Sequence, residues 1–300
     1  MKEIIIMECP TSLGLAQSEY AREPGVNKLP DWLRQWGFHK AVSPSKTLRL
    51  EAPKYAMELD VVTQVRNADA IIKYATEQMD MMEQEINENT FIVLLGGDCS
   101  VLIGTALALR RKGRFGMFYL DGHTDYMIPA ESNTHGAAGM DLSIVCGHGH
   151  QNLTNIMDLA PYVEQDHVYA VGNREYDEDY ERPIKESQVN YYPLDRLRDV
   201  GVDSVVTHFL FMVEVENLDG YIVHLDVDVL NDEVMPAVDC PQADGLSYEE
   251  LKSVLLPLLI NKKCYGIEIT ILDPDLDPTG AYTQEFIGHI VSVIKTVKCL

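Results

Sequence analysis

Short, nearly unbroken apolar runs punctuate this chain, each closed by turn residues. The runs at 3–9, 91–95, 115–120, 167–171, 189–192, 221–230 and 265–271 are rich in Ile, Val, Leu and aromatic residues. Runs of this length bounded by Gly, Pro, Asp or Asn predict strands buried on both faces. Between them the apolar period lengthens to that of a helix. Residues 60–86 are polar on one side and place Val61, Val62, Val65, Ile71 and Ile72 on the other, with Met79, Met81 and Met82 as core filler. Residues 101–111 and 282–297 read as helices, and 31–36 as a short one begun after Pro30. Ser247 and Glu250 form a capping box ahead of Leu251, Val254, Leu255 and Leu258. Residues 22–28, 131–149, 175–181 and 273–280 read as loops. Strands alternating with helices predict an α/β fold with helices on both faces of a parallel sheet. No repeat, low-complexity run or linker interrupts the pattern, so residues 1–300 are expected to form one domain.

Composition narrows the partners. A chain of 300 residues with 46% hydrophobic content can bury a large core, and its net charge of −23 argues against nucleic acid or an anionic membrane. No run approaches the roughly 18 apolar residues of a membrane span. The opening MKEIIIMECP has one Lys and a short apolar run, which suits a first strand better than a secretory signal. Six cysteines (Cys9, Cys99, Cys146, Cys240, Cys264, Cys299) stand without a C-x-x-C pair, the usage expected of a reduced, cytoplasmic protein.

The charged exceptions inside the apolar runs carry the chemistry. In 117–126, MFYLDGHTDY, a buried strand runs into Asp121, His123 and Asp125. Positions i, i+2 and i+4 of a strand share a face, so three ligand-type side chains should converge there. In 221–230, YIVHLDVDVL, Asp226 and Asp228 share one face, with His224 on it one step deeper. Carboxylates in dry surroundings are costly unless a cation or several donors neutralise them. A hydrogen-bonded loop accounts for either stretch alone, but both together point to a shared ion. Gly96-Gly97-Asp98-Cys99-Ser100 closes the 91–95 strand. Its glycines permit close backbone approach, yet it matches neither phosphate-binding glycine pattern. Cys99, Asp121, Asp226 and the Asp273 loop all follow apolar strands, at the end where such folds place ligands.

These motifs, in this order, resemble the ureohydrolase family of arginase, agmatinase, formiminoglutamase and relatives. The matching segments are Gly97-Asp98-Cys99-Ser100, Asp121-Gly122-His123-Thr124-Asp125, His135-Gly136, Asp226-Val227-Asp228 and Gly245-Leu246-Ser247-Tyr248-Glu249-Glu250. The resemblance implies a three-layer α/β sandwich with a central, mostly parallel sheet of the arginase/deacetylase kind. It also implies two divalent metal ions, Mn2+ above all. One ion would be held by Cys99, Asp121, Asp125 and Asp226, the other by Asp121, His123, Asp226 and Asp228. The implied reaction hydrolyses a C–N bond of a small guanidino, hydroxyguanidino or formimino compound, two cations acidifying a shared water. Asp125 and His135 would serve proton transfer, Asn133 and Asp177 the amino-acid end of a substrate, and the assembly would be a trimer or hexamer.

Three departures qualify this. Cys99 stands where most members have a histidine ligand. A thiolate there adds negative charge and favours softer ions such as Zn2+, Fe2+ or Co2+. Ile271 occupies the position of the guanidinium-gripping Glu, leaving Thr270, Asp273, Asp275 or Asp277 as replacements. The loop before Asn133 is shorter than arginase's. His148 and His150 read as ordinary loop histidines and Cys240 as a structural thiol. Two other readings stay open: a catalytically silent member that binds a ligand or acts as a scaffold, and amide deacylation.

Overall fold

The central strands have no polar face, which is why they sit in the middle of a sheet covered on both sides. The computed structural model describes residues 2–17 and 22–299, with Cys299 described by its backbone alone. Its strands are β1 (Glu3–Glu8), β2 (Lys46–Arg49), β3 (Thr90–Leu95), β4 (Phe115–Leu120), β5 (Val168–Val171), β6 (Asn190–Tyr192), β7 (Gly220–Asp226) and β8 (Cys264–Thr270). They form one sheet in the order β2-β1-β3-β8-β7-β4-β5-β6, and every named pair is parallel. In β3, Phe91, Val93 and Leu95 enter one core, while Ile92 and Leu94 enter the other. Alternation between two dry faces produces the continuous apolar runs of the sequence.

The helices are α1 (Leu29–Gln35), α2 (Phe38–Val42), α3 (Ala68–Glu83), α4 (Val101–Lys112), α5 (Asp141–Val145), α6 (Gln151–Thr154), α7 (Glu178–Glu186), α8 (Leu194–Val200), α9 (Val202–Val215), α10 (Tyr248–Leu259) and α11 (Ala281–Ile294). The core beneath α1, α2 and α8–α11 lies on one side of the sheet. The core beneath α3, α4 and α5 lies on the other, completing three layers. β7 and β8 are inserted between β3 and β4, so the carboxyl ends of four adjacent strands, β3-β8-β7-β4, meet at one edge.

Local chemistry shifts several boundaries from the sequence reading. The helix expected over 60–86 starts only at Ala68. Ahead of it, the Asp60 side chain accepts from the amides of Val62 and Thr63, and Leu59 bridges Arg66. An Asp that bonds its own following backbone holds a turn against the helix. The acidic loop expected over 175–181 is largely α7. Asp177 caps it and three acids occupy its first turn, where the helix dipole favours them. The loop expected over 131–149 contains a 3-10 turn, Ala137–Met140, and α5. β2 and α9 carry no strong alternation or capping signal and were not expected. No helix among the described residues is long and apolar enough to cross a membrane.

The capping box at Ser247 is present, with the Ser247 side chain accepting from the Glu250 amide and the Glu250 side chain accepting from the Ser247 amide. Ser247→Ala is expected to lower stability by about 1 kcal/mol, read as a shift of the urea midpoint with no change of slope.

Candidate metal centre

The acids converge because the chain leaves its strands at the right residues. β4 ends at Leu120, and 121–125 is not strand. Turn-type bonds replace strand alternation: Asp121 Oδ1 accepts from the His123 amide (2.6 Å), and Asp228 Oδ1 accepts from the Gly122 amide (2.9 Å). Asp125 adopts a left-handed φ of 44°. The strand expected over 221–230 likewise stops at Asp226, whose Oδ1 accepts from the Asp228 amide (2.8 Å) across a 3-10 turn. Gly97 lets the turn after β3 lie against the first loop. A Cβ there would come within 1.6 Å of the Thr11 carbonyl oxygen, and the Asp98 amide donates to that same oxygen.

Cys99, Asp121, His123, Asp125, Asp226 and Asp228 thus gather in one cluster. His123 Nδ1 lies 2.9 Å from Asp228 Oδ2 and 3.6 Å from Asp121 Oδ1. The Cys99 thiol donates to Asp226 Oδ2 at 3.0 Å and contacts Thr270 Oγ1 at 3.1 Å. Two groups were missed by the sequence reading. Tyr119 sits in an apolar run and reads as core, but its hydroxyl is 2.9 Å from Asp121 Oδ2, 3.1 Å from Asp125 Oδ2 and 3.0 Å from Asp141 Oδ1. Asp141 comes from α5 and is fully buried. Three ligand sets each bring their donor atoms within 4.8 Å of one another: Asp121–His123–Asp228, Cys99–Asp125–Asp141 and Cys99–Asp121–His224.

The electrostatics fit a cation. Burial first, and neighbouring carboxylates second, push Asp121, Asp125 and Asp226 above the usual carboxylate range, and the same holds for Asp141. Burial opposes charge on His123, but Asp228 outweighs it and raises that imidazole; reciprocally, Asp228 is held low despite its burial. Burial, reinforced by Asp226, raises the Cys99 thiol strongly. Only an ion would make it a thiolate. The Tyr119 hydroxyl has one proton for three carboxyl groups, so two of those contacts need protons from the acids or a cation nearby. Among the described residues, the only ion-pair partner of Asp121 and Asp228 is His123, and no Lys or Arg nitrogen lies within 4 Å of these carboxylates. Arg174 instead donates to the carbonyls of Asp228, Leu230, Gln242 and Ala243, which fixes the loop after β7. The donor set is therefore one that divalent cations suit.

The other candidate residues lie further out. Asn133 is exposed. His135 has a left-handed φ of 56°, and its Nδ1 donates to the Gln64 carbonyl (2.9 Å). Asp177 is exposed and accepts from the Tyr180 amide; the Tyr180 hydroxyl in turn accepts from the Thr124 amide, tying α7 to the 121–125 segment. Asp273 is buried, with its oxygens accepting from the amides of Gly25 and Asp275. Ile271 is buried with a φ of 72°, an unusual strain for a β-branched residue. Cys240, expected to be structural, is exposed.

A three-layer α/β protein thus gathers acids, imidazole and thiol at the carboxyl ends of neighbouring strands, as a metal-holding site requires. The sequence model of the Arginase family matches residues 2–294, and the chain belongs to that family. It is 24% identical over 299 residues to an arginase of Entamoeba histolytica, covering 96% of this chain and 98% of that one. It is 29% identical over 232 residues to an arginase of Bacillus subtilis, covering 76% and 78%. Its fold is similar to the solved arginase from Bacillus caldovelox, with a TM-score of 0.87, 24% identity and 98% coverage of both chains.

Proposed function

We propose that this protein is a hydrolase using two divalent ions to cleave a C–N bond of a small guanidino, hydroxyguanidino or formimino compound. The observation that carries this is the gathering of buried Cys99, Asp121, Asp226 and Asp228 with half-buried His123 and Asp125 in one cluster of a chain in the Arginase family. Cys99, Asp121, Asp125 and Asp226 would hold one ion, and Asp121, His123, Asp226 and Asp228 the other. When bound, the ions supply an acidified water and polarise the planar carbon under attack. Mn2+ follows from the resemblance, while the Cys99 sulfur favours Zn2+, Fe2+ or Co2+.

The chain's own groups handle the protons. Asp125 Oδ2, made more basic by burial and hydrogen-bonded to Tyr119, is suited to accept a proton. His135 keeps Nδ1–H on the Gln64 carbonyl, which leaves Nε2 as the nitrogen that exchanges a proton with the leaving amine. Asn133 and Asp177 would meet the far end of the substrate. Asp273 would also meet the substrate, although its bonds to the Gly25 and Asp275 amides fix the loop after β8.

Ile271 favours a second reading, in which the site binds without catalysing. A guanidinium buried against an apolar side chain lacks the partner it needs. The test is a panel of guanidino, hydroxyguanidino and formimino compounds given to metal-loaded protein. Urea, hydroxyurea or formamide release supports the hydrolase. Binding without product supports the silent reading, and acetate from acylated amines with no ureide product would move the site to deacylation.

A further inference from the structure

The sheet face that packs against α3 and α4 should be apolar, yet beneath the acids it carries a fully buried polar chain. His224 on β7 and Glu268 on β8 are register partners, 0% and 1% exposed. Glu268 Oε1 is 2.8 Å from His224 Nδ1, and Oε2 accepts from the Thr105 hydroxyl of α4. Gln78 of α3 donates in turn to Thr105 Oγ1 (3.0 Å) and to the Val101 carbonyl (2.8 Å). Glu268 Oε2 accepts from Thr105, and an Oε1 that likewise accepts puts the Nδ1 proton on the Glu268 side. The nitrogen left over, Nε2, is buried without a hydrogen-bond partner among the described residues.

An orphaned buried nitrogen costs about 1–3 kcal/mol, which the bond of Nδ1 to Glu268 does not relieve. The ring is clamped by stacking on Tyr119, with centroids 4.6 Å apart and planes 5° from parallel, while the Tyr119 hydroxyl lies among the acids. A His224 ring nitrogen, Cys99 Sγ and an Asp121 oxygen lie within 4.8 Å of one another. With Nδ1 committed to Glu268, the nitrogen available to that group is Nε2. Metal–ligand bonds of about 2.0–2.3 Å keep the donors of one ion within roughly 4.6 Å of each other, and the 4.8 Å bound on these three lies close to that limit. Metal-ligating histidines usually hold their other nitrogen on a carboxylate or carbonyl, the arrangement His224 makes with Glu268.

We propose that His224 Nε2 is a ligand of the ion held by Cys99 and Asp121, with Glu268 as its positioning residue. This rests on the metal reading above and deepens it: imidazole reaches the ion from β7, while the turn after β3 supplies sulfur. The mixed sulfur, nitrogen and oxygen set selects Zn2+ or Co2+ over Mn2+.

Zn2+-loaded wild-type protein should show anomalous density with Nε2 at about 2.0–2.1 Å from the ion. In competition with a chelator, His224→Gln should bind that Zn2+ at least about tenfold more weakly. Glu268→Gln, which keeps the imidazole, should weaken it by about 10–100-fold. A merely structural pair would lower the melting temperature of the metal-free variants and leave Zn2+ affinity unchanged, which overturns the inference. Should His224→Gln fail to fold, the wild-type density decides: Zn2+ on Cys99 and Asp121 with Nε2 uncoordinated overturns this inference alone, whereas absence of any ion overturns the metal reading with it.

Discussion

Asp125→Asn is expected to abolish turnover while leaving the metal-free fold intact or more stable. Asp125 lies within hydrogen-bond reach of Tyr119 and belongs to a ligand set with Cys99 and Asp141. The amide keeps the shape but can neither accept the proton nor offer a charged oxygen. Loss of positioned proton transfer alone removes about 10²–10⁴-fold in rate, and loss of a ligand charge adds to it. Asn is the right substitution because φ is 44° here, and Asn enters the left-handed region more readily than Ala does. The stability half of the expectation follows from the same cluster. Burial and its acidic neighbours make an ionised Asp125 unfavourable without a cation, so replacing it by a neutral amide relieves the metal-free protein. The measurements are product formation on whichever compound the panel identifies and thermal melting in excess chelator. A variant that keeps more than a tenth of wild-type kcat would remove Asp125 from the reaction.

Much of this arrangement was legible in the residues, for reasons that differ by element. Strands buried on both faces announce themselves, and so do acids at their ends. The step from acids to geometry was less secure. Alternation within a strand correctly brought Asp121 and Asp125, or Asp226 and Asp228, to one place, but the real cause is different. The strands end at Leu120 and Asp226, and amide-to-carboxylate turns aim the side chains. Tyr119 was hidden because a Tyr inside an apolar run looks like filler until its hydroxyl has somewhere to go. Asp141 was hidden because a lone acid after a loop carries no pattern. Asp177 and Asp273 were singled out as substrate contacts, and in the structure both also cap helical turns, a use that Asp at the start of any turn can have. β2, half exposed and four residues long, offers too little alternation to be seen.

Removing divalent ions should make stability fall as pH rises above about 4, the reverse of ordinary acid denaturation. Asp121, Asp125, Asp141 and Asp226 have native pKa values raised above their unfolded values, first by burial and then by one another's charge. Between the unfolded and the raised native pKa, the folded chain binds more protons than the unfolded one, so stability is greatest below the unfolded carboxylate pKa and declines through the native values. Asp228 has the opposite sign. Its lowered native pKa contributes stability above the unfolded pKa, lost as pH falls through the native value. Four raised acids outnumber one lowered acid, so the cluster's net slope is negative. A bound ion takes the place of those protons, so it should stabilise more at pH 8 than at pH 5. At a free concentration a thousandfold above its dissociation constant, one ion adds about 4 kcal/mol, which for a chain of this size is a melting shift on the order of 8 °C. Melting curves across pH, in chelator and then in Mn2+ or Zn2+, read both effects. Equal slopes with and without metal would mean that the acids titrate independently of any ion, and the cluster would lose its role as a metal centre.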